Sequence, residues 1–298
     1  MSHTAIALIL ASALIHASWN LIAKHISPTA SFFLIANAIG PWIFFPWVIL
    51  HPDIVCSMDS RIWAFLILTG LFQALYCIAL AAAYRHGDLS VSYPIARSLP
   101  VILVPLTAVL LGRGDLLGVW FFTGVVLVLA GGALVSADEI RALKKRFVLN
   151  SALPMAFCAA IGTAGYSLID DQALRFLRSS LGEIHGTIPI TLVYAFIESF
   201  ACVFWIGIFI LLTRKNPGGL RVHPGWTASA GILMSVTYGM VLLAMAYARE
   251  VSLIVAFRQV SILAGALMGF VFLRESAHFL KILGLTILLT GLYIVALS

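Results

Sequence analysis

The sequence predicts an all-α integral membrane protein of ten transmembrane helices arranged as two inverted five-helix repeats, and three observations predict it. Of 298 residues, 62 % are hydrophobic and only 10 % charged, and the mean hydropathy is +1.06, whereas about a quarter of a soluble domain is charged. Apolar runs of membrane-crossing length recur along the chain, joined by short connections. The two halves also echo each other: Arg97 precedes Arg113 by sixteen residues, as Arg258 precedes Arg274, and Gly124 and Gly131 match Gly284 and Gly291. Five spans per half is an odd number, so a short linker forces the second half to insert upside down relative to the first.

Taken in order, the spans are predicted at 4–24, 29–50, 62–84, 89–111, 116–136, 151–170, 186–212, 226–248, 251–273 and 277–297. The N-terminus lacks the basic region of a cleaved signal, so the first run is expected to remain as a span. Proline and glycine punctuate the connections, as in Ser27-Pro28, His51-Pro52 and Asn216-Pro217-Gly218-Gly219. Residues 1–140 form the first repeat, 141–150 a basic linker and 151–298 the second repeat. Most lysines and arginines fall in the connections after odd-numbered spans, which places those connections in the cytoplasm and both termini outside. The net charge of +6 thus reflects membrane orientation, and no nucleic-acid partner is expected. Cys56, Cys77, Cys158 and Cys202 show no ligand or disulfide spacing, so neither a metal, a cofactor nor a disulfide is expected.

The fourth span is the most unusual. It carries Ser90, Tyr93, Pro94, Arg97, Pro100 and Pro105 in an apolar run, with Arg97 about 12 Å inside by helix rise, too deep for easy snorkelling. Ser90, Tyr93, Pro94 and Arg97 share one helix face, which reads as the wall of a polar cavity. Pro94 and Pro100 should kink or partly unwind the helix.

This order of motifs resembles the EamA-type ten-span transporters of the drug/metabolite transporter superfamily. The residues that carry the resemblance are His16-Ala17-Ser18-Trp19-Asn20-Leu21-Ile22-Ala23-Lys24, Ala82-Ala83-Tyr84, Tyr93-Pro94-Ile95-Ala96-Arg97 and Gly284-Leu285-Thr286-Ile287-Leu288-Leu289-Thr290-Gly291. It extends over essentially the whole chain. The resemblance implies a proton- or exchange-coupled carrier of small metabolites in the cell membrane, with a central cavity lined by spans 1, 3, 4, 6, 8 and 9. The expected function is secondary active export of an amino acid or organic anion by alternating access. An exchanger of anionic or phosphorylated metabolites and a non-transporting membrane sensor or assembly partner are the alternatives. The expected partners are a small-molecule substrate, membrane lipid and coupling protons, with the chain a monomer or homodimer. Span 9 departs from internal symmetry, since Ser252 to Leu273 contains no proline.

Arg258, followed by Gln259, matches Arg97 in the opposite half. Two such arginines suit a carboxylate or phosphate, for which guanidinium is a planar fork; a structural pair held by an acid or by helix carbonyls is the competing reading. Glu198 sits mid-span, where a carboxylate costs about 2.5–3.5 kcal/mol. It is the candidate for proton coupling, or else a static partner of Arg97 or Arg258. His16, Trp19 and Asn20 occupy neighbouring faces of span 1 as candidate substrate contacts, and Tyr93, Tyr238 and Gln73 as further cavity walls. Lys24, Asp170 and Asp171 fall at predicted span ends, where reaching the interface accounts for them. No metalloprotease, nucleophile-elbow or phosphate-loop motif occurs, so an enzyme is not expected; Gly112-Arg113-Gly114-Asp115 reads as a tight turn.

Overall fold

The computed structural model describes residues 1–26, 29–86, 89–113, 117–135, 152–213, 224–264 and 279–298. The linker at 141–150, the connection at 216–219, Arg274, the Gly114-Asp115 half of the tetrapeptide and the end of span 9 lie outside the described residues, as does the Tyr93 side chain. Among the described residues the regular structure is helical throughout. The helices are α1 (His3–Ile26), α2 (Ala30–Ile39), α3 (Phe45–Leu50), α4 (Pro52–Cys56), α5 (Ser60–His86), α6 (Leu89–Ala108), α7 (Val119–Val135), α8 (Ala152–His185), α9 (Thr187–Thr213), α10 (Pro224–Met245), α11 (Val251–Phe257) and α12 (Phe279–Leu297).

Among the described residues five segments are long and apolar enough to cross a membrane: Ala30–Leu50, Ser60–Ala83, Thr187–Thr213, Pro224–Met245 and Phe279–Leu297. The exterior is apolar, with Leu110, Val119, Trp120, Leu211 and Phe279 exposed, while His16, Asp170, Asp171, Glu198 and Gln259 are buried. Such an arrangement suits a lipid solvent, which covers the apolar faces and drives ionisable groups inward.

The run at 29–50 stands as one candidate span, Ala30–Leu50, but within it Pro41 and Pro46 each open a new segment, and a tighter turn over Gly40–Phe44 separates α2 from α3. Two expectations are corrected. α6 is not unwound at its prolines: it is one helix through Pro94, Pro100 and Pro105, although each removes a backbone hydrogen bond. The loosening comes later, in a π turn over Val109–Arg113 that contains Gly112 at φ 78. The second correction is to span 6: α8 continues fifteen residues past the predicted end at 170. Its second part, Asp171-Gln172-Ala173-Leu174-Arg175-Phe176-Leu177-Arg178, is too charged for a hydropathy window yet strongly helix-forming. Asp171 and Arg175 stand four apart and pair, Nε lying 2.9 and 2.8 Å from the two carboxylate oxygens.

Arg175 Nη2 also donates to the Arg249 carbonyl at 2.9 Å, tying α8 to the turn between α10 and α11. Arg175→Ala removes these bonds from the buried Asp171 and should cost about 1–3 kcal/mol. Thermal unfolding in detergent should show a lowered midpoint, and an unchanged one would contradict this role. α8 and α9 are joined by the single residue Gly186 at φ 73, a left-handed conformation that a side chain resists.

Packing follows a regular scheme. α7 lies along α12, α5 along α8 and α1 along α10; α5 also meets α9, α2 meets α9 and α10, and α6 meets α8 and α11. The α7–α12 seam is antiparallel and built on glycine. A Cβ on Gly131 would fall 2.6 Å from the Gly284 carbonyl oxygen, and one on Gly291 would fall 2.7 Å from that of Gly124. Backbones therefore touch where the sequence repeat places its glycines, flanked by the buried Val128, Leu288 and Val295.

Candidate functional site

Two polar clusters occupy the interior, one basic and one acidic, with tyrosines between them. The basic cluster forms where α11 ends. After Phe257 the chain tightens: Gln259, Ser261 and Ile262 amides bond to carbonyls three residues back, at 3.2, 3.1 and 2.9 Å. The Arg258 carbonyl, which takes the Ser261 amide at 3.1 Å, also accepts Arg97 Nη2 at 3.3 Å, and Arg97 Nη2 donates to Ser261 Oγ as well. Gln259 Nε2 answers by donating to the Arg97 carbonyl at 3.1 Å. So the break lies in the span without proline, and α6 and the α11 end are stitched together across it.

Arg97, Arg258 and Gln259, with Tyr76, Pro100, Thr163, Tyr166 and Val255, line a cavity that opens about 20 Å³ to the centre of a water molecule, room for one water. None of these described lining residues is acidic. The Arg258 guanidinium lies 6.0 Å from the centre of the Tyr238 ring and within hydrogen-bonding reach of Tyr166. Arg258 Nη1 and Gln259 Oε1 are buried without hydrogen-bond partners, so the site holds an unmet donor and an unmet acceptor.

The tyrosines form a ladder, Tyr76 to Tyr166 at 6.0 Å and Tyr166 to Tyr238 at 5.3 Å, each pair edge-on. Beyond it lies the acidic cluster. Asp170, fully buried, accepts from Thr69 Oγ1 at 2.6 Å and the Tyr194 hydroxyl at 2.8 Å, both on Oδ1, and from the Tyr238 hydroxyl on Oδ2. Glu198, 1 % exposed, accepts from Gln73 Nε2 and lies in hydrogen-bonding contact with the Asp170 carboxyl. Helical spacing brings these groups together: Thr69 and Gln73, Tyr166 and Asp170, and Tyr194 and Glu198 are each four residues apart and project from one face.

On α1, Trp19 Nε1 donates to His16 Nδ1 at 3.2 Å, and Asn20 Nδ2 to the His16 carbonyl at 2.8 Å. A ring nitrogen that accepts carries no proton, so a neutral His16 holds its hydrogen on Nε2. His16 lies within electrostatic range of both Arg97 and Arg258, although neither it nor Trp19 lines the cavity.

The structure thus brings Arg97, Arg258 and Gln259 together at the cavity, and Gln73, Glu198 and Tyr238 together at the carboxyls. It corrects two readings. Asp170 does not reach an interface but sits at the centre of the acidic cluster. Among the described residues Glu198 pairs with no arginine; its neighbours are Gln73 and Asp170. Sequence reasoning also passed over Thr69, Tyr194 and Ser261, and His51, Asp53 and His185 at the rim, whose ligand-type atoms lie within 4.8 Å of one another. Of these, His185 Nε2 and Asp53 Oδ2 lie 2.8 Å apart.

No family model matches the chain, and no curated protein matches it. A solved structure described only as the crystal structure of a protein aligns with 100 % of this chain and 98 % of that one, at a TM-score of 0.71 and 16 % identity. At that identity the likeness concerns the fold alone, and it is a fold shared from the first helix to the last.

Proposed function

We propose that the protein is a ten-span secondary transporter of the EamA type, built as two inverted five-helix repeats around the two-arginine cavity. The five long spans are joined in this reading by the shorter apolar helices at Arg97–Gly112, Val119–Val135 and Val251–Ala264, together with α1 and α8. Helix packing supports the repeat. Exchanging each span with its counterpart in the other half maps the α5–α8 contact onto α1–α10 and the α5–α9 contact onto α2–α10, while α7–α12, α2–α9 and α6–α11 map onto themselves. The antiparallel glycine seam lies where such a dyad passes.

The observation that carries the transport reading is the cavity's charge: two guanidinium groups, one with a buried unmet donor, and no acid among the lining residues. Buried charge of one sign calls for a ligand of the other, so the substrate is an organic anion or an amino acid held by its carboxylate, or a phosphorylated metabolite. Room for one water means that substrate enters only after helices part, which is the closed stage of alternating access. Export is the expected direction.

Flux of a labelled panel of amino acids, organic acids and phosphorylated metabolites through proteoliposomes tests this. Uptake of an anionic member above protein-free vesicles is expected, driven by a pH gradient or by counter-substrate. Binding without flux, from folded protein, would instead favour a membrane sensor that keeps the carrier fold.

A further inference from the structure

We infer that Asp170 and Glu198 form one proton-binding site, a carboxyl pair that holds a single proton between them and is wired to the Arg258 cavity through Tyr238. The inference deepens the transport reading and rests on it only for the coupling to flux.

Two acids in hydrogen-bonding contact cannot both be ionised without placing two acceptors face to face. One proton resolves this by turning one of them into a donor. The donors already present say which. Thr69, Tyr194 and Tyr238 all give hydrogen bonds to Asp170, whereas Glu198 receives one from Gln73 and its Oε2 is buried with no partner of its own. Asp170 is thus solvated as the anion by three hydroxyls, and the proton rests on Glu198 Oε2, pointing at Asp170. Loss of that proton would leave two negative charges in contact, away from water.

Four helices face the pair, and what each presents decides whether a cation holds it fully ionised. α5 offers Thr69, Gln73 and, one turn on, the Cys77 thiol, which accepts from Asn37 of α2. α8 offers Tyr166; α9 offers Tyr194 and the Cys202 thiol, itself within electrostatic range of Glu198; α10 offers Tyr238. Among the described residues no cation is paired with either carboxyl. Arg258 stands on the far side of the Tyr238 ring, while the hydroxyl of that ring holds Asp170. A change in charge at the pair is therefore felt at the anion cavity through one side chain, and release of the proton requires water or Arg258 to come nearer. One proton bound or released at one end, and one anion at the other, gives the molecule the two linked sites that coupling needs.

The test is the infrared carbonyl stretch of protonated carboxylic acids in the purified protein in lipid, followed as pH is raised. The wild type should show one buried neutral acid per chain near neutral pH that disappears at high pH. Glu198→Gln, whose amide donates to Asp170 as the shared proton did, should remove that band. Asp170→Asn should change the pH at which it disappears, and Tyr238→Phe, with both acids retained, should keep the band and move its position. The inference is overturned if the wild type has no such band, if the band survives Glu198→Gln, or if Asp170→Asn leaves its titration unaltered, which would give the proton to Glu198 alone. The readout needs no flux. A normal band in a protein that moves nothing would fail the transport reading and leave the pair standing; robust pH-driven flux without the band would do the reverse.

Discussion

Arg258→Gln abolishes measurable flux of the anionic substrate while leaving a folded protein. The guanidinium is buried and carries an unmet donor into the cavity, so a bound carboxylate or phosphate takes its principal charge-assisted contact there. Truncating one partner of such a buried pair costs about 2–5 kcal/mol, so affinity should fall at least about thirtyfold. In the substrate-free state the same change removes a costly unpaired charge, and the folded protein should be no less stable, which separates this residue from a structural one. Arg258→Lys should recover only part of the affinity, since a point charge cannot reproduce a planar fork. Arg97 behaves differently, because its Nη2 holds the Arg258 carbonyl and Ser261; Arg97→Ala weakens transport and also loosens the α6–α11 contact. Wild-type flux from well-folded Arg258→Gln protein would remove the arginine cavity from the mechanism.

Gly131→Leu should prevent the protein from assembling. Its Cβ would lie 2.5 Å from the Leu288 amide nitrogen and 2.6 Å from the Gly284 carbonyl oxygen, both backbone atoms that cannot swing aside. Overpacking a close contact costs about 1–3 kcal/mol, and a whole leucine side chain driven into a helix–helix seam should exceed the top of that range. Gly131→Ala gives the graded case, with a lowered unfolding midpoint. Gly118 has nothing within 4 Å of its would-be Cβ, so Gly118→Ala serves as the control and should change neither yield nor midpoint. Equal behaviour of Gly131→Leu and Gly118→Ala in size-exclusion profile and thermal unfolding would mean that the α7–α12 seam does not bear on stability.

The helical character of the chain and its segments long and apolar enough to cross a membrane were legible because hydropathy alone determines which segments lipid can solvate. The basic half of the site was legible for a related reason. An arginine in an apolar run is rare enough to stand out, and Arg97 and Arg258 recur at one spacing in both halves. The acidic half was only half legible. Glu198 lies in the middle of an apolar run and is conspicuous, whereas Asp170 stands beside Asp171 where the apolar run ends, and a hydropathy window closes there. What was missed is that α8 continues. The i,i+4 pair of Asp171 and Arg175 signals this, and the four-residue spacing of Tyr166 and Asp170 puts the acid on the inward face. Proline misled in the opposite direction: Pro94 and Pro100 sit within one continuous helix, and the tightened turn whose carbonyl takes Arg97 occurs at Arg258, where no residue type announces it. Tertiary contacts made that choice, and they cannot be read from one strand of sequence.

α8 is 34 residues long, or about 51 Å by helix rise, against a hydrocarbon thickness of about 30 Å. On the transport reading, a rod of that length must either tilt strongly or stand proud of the bilayer, with its charged end, from Asp171 to His185, outside the hydrocarbon. Asp170 falls near the middle of the same rod, which the Arg175 bond to the Arg249 carbonyl and the His185 contact with Asp53 fasten at its charged end, with no loop between those contacts and the interior carboxyl.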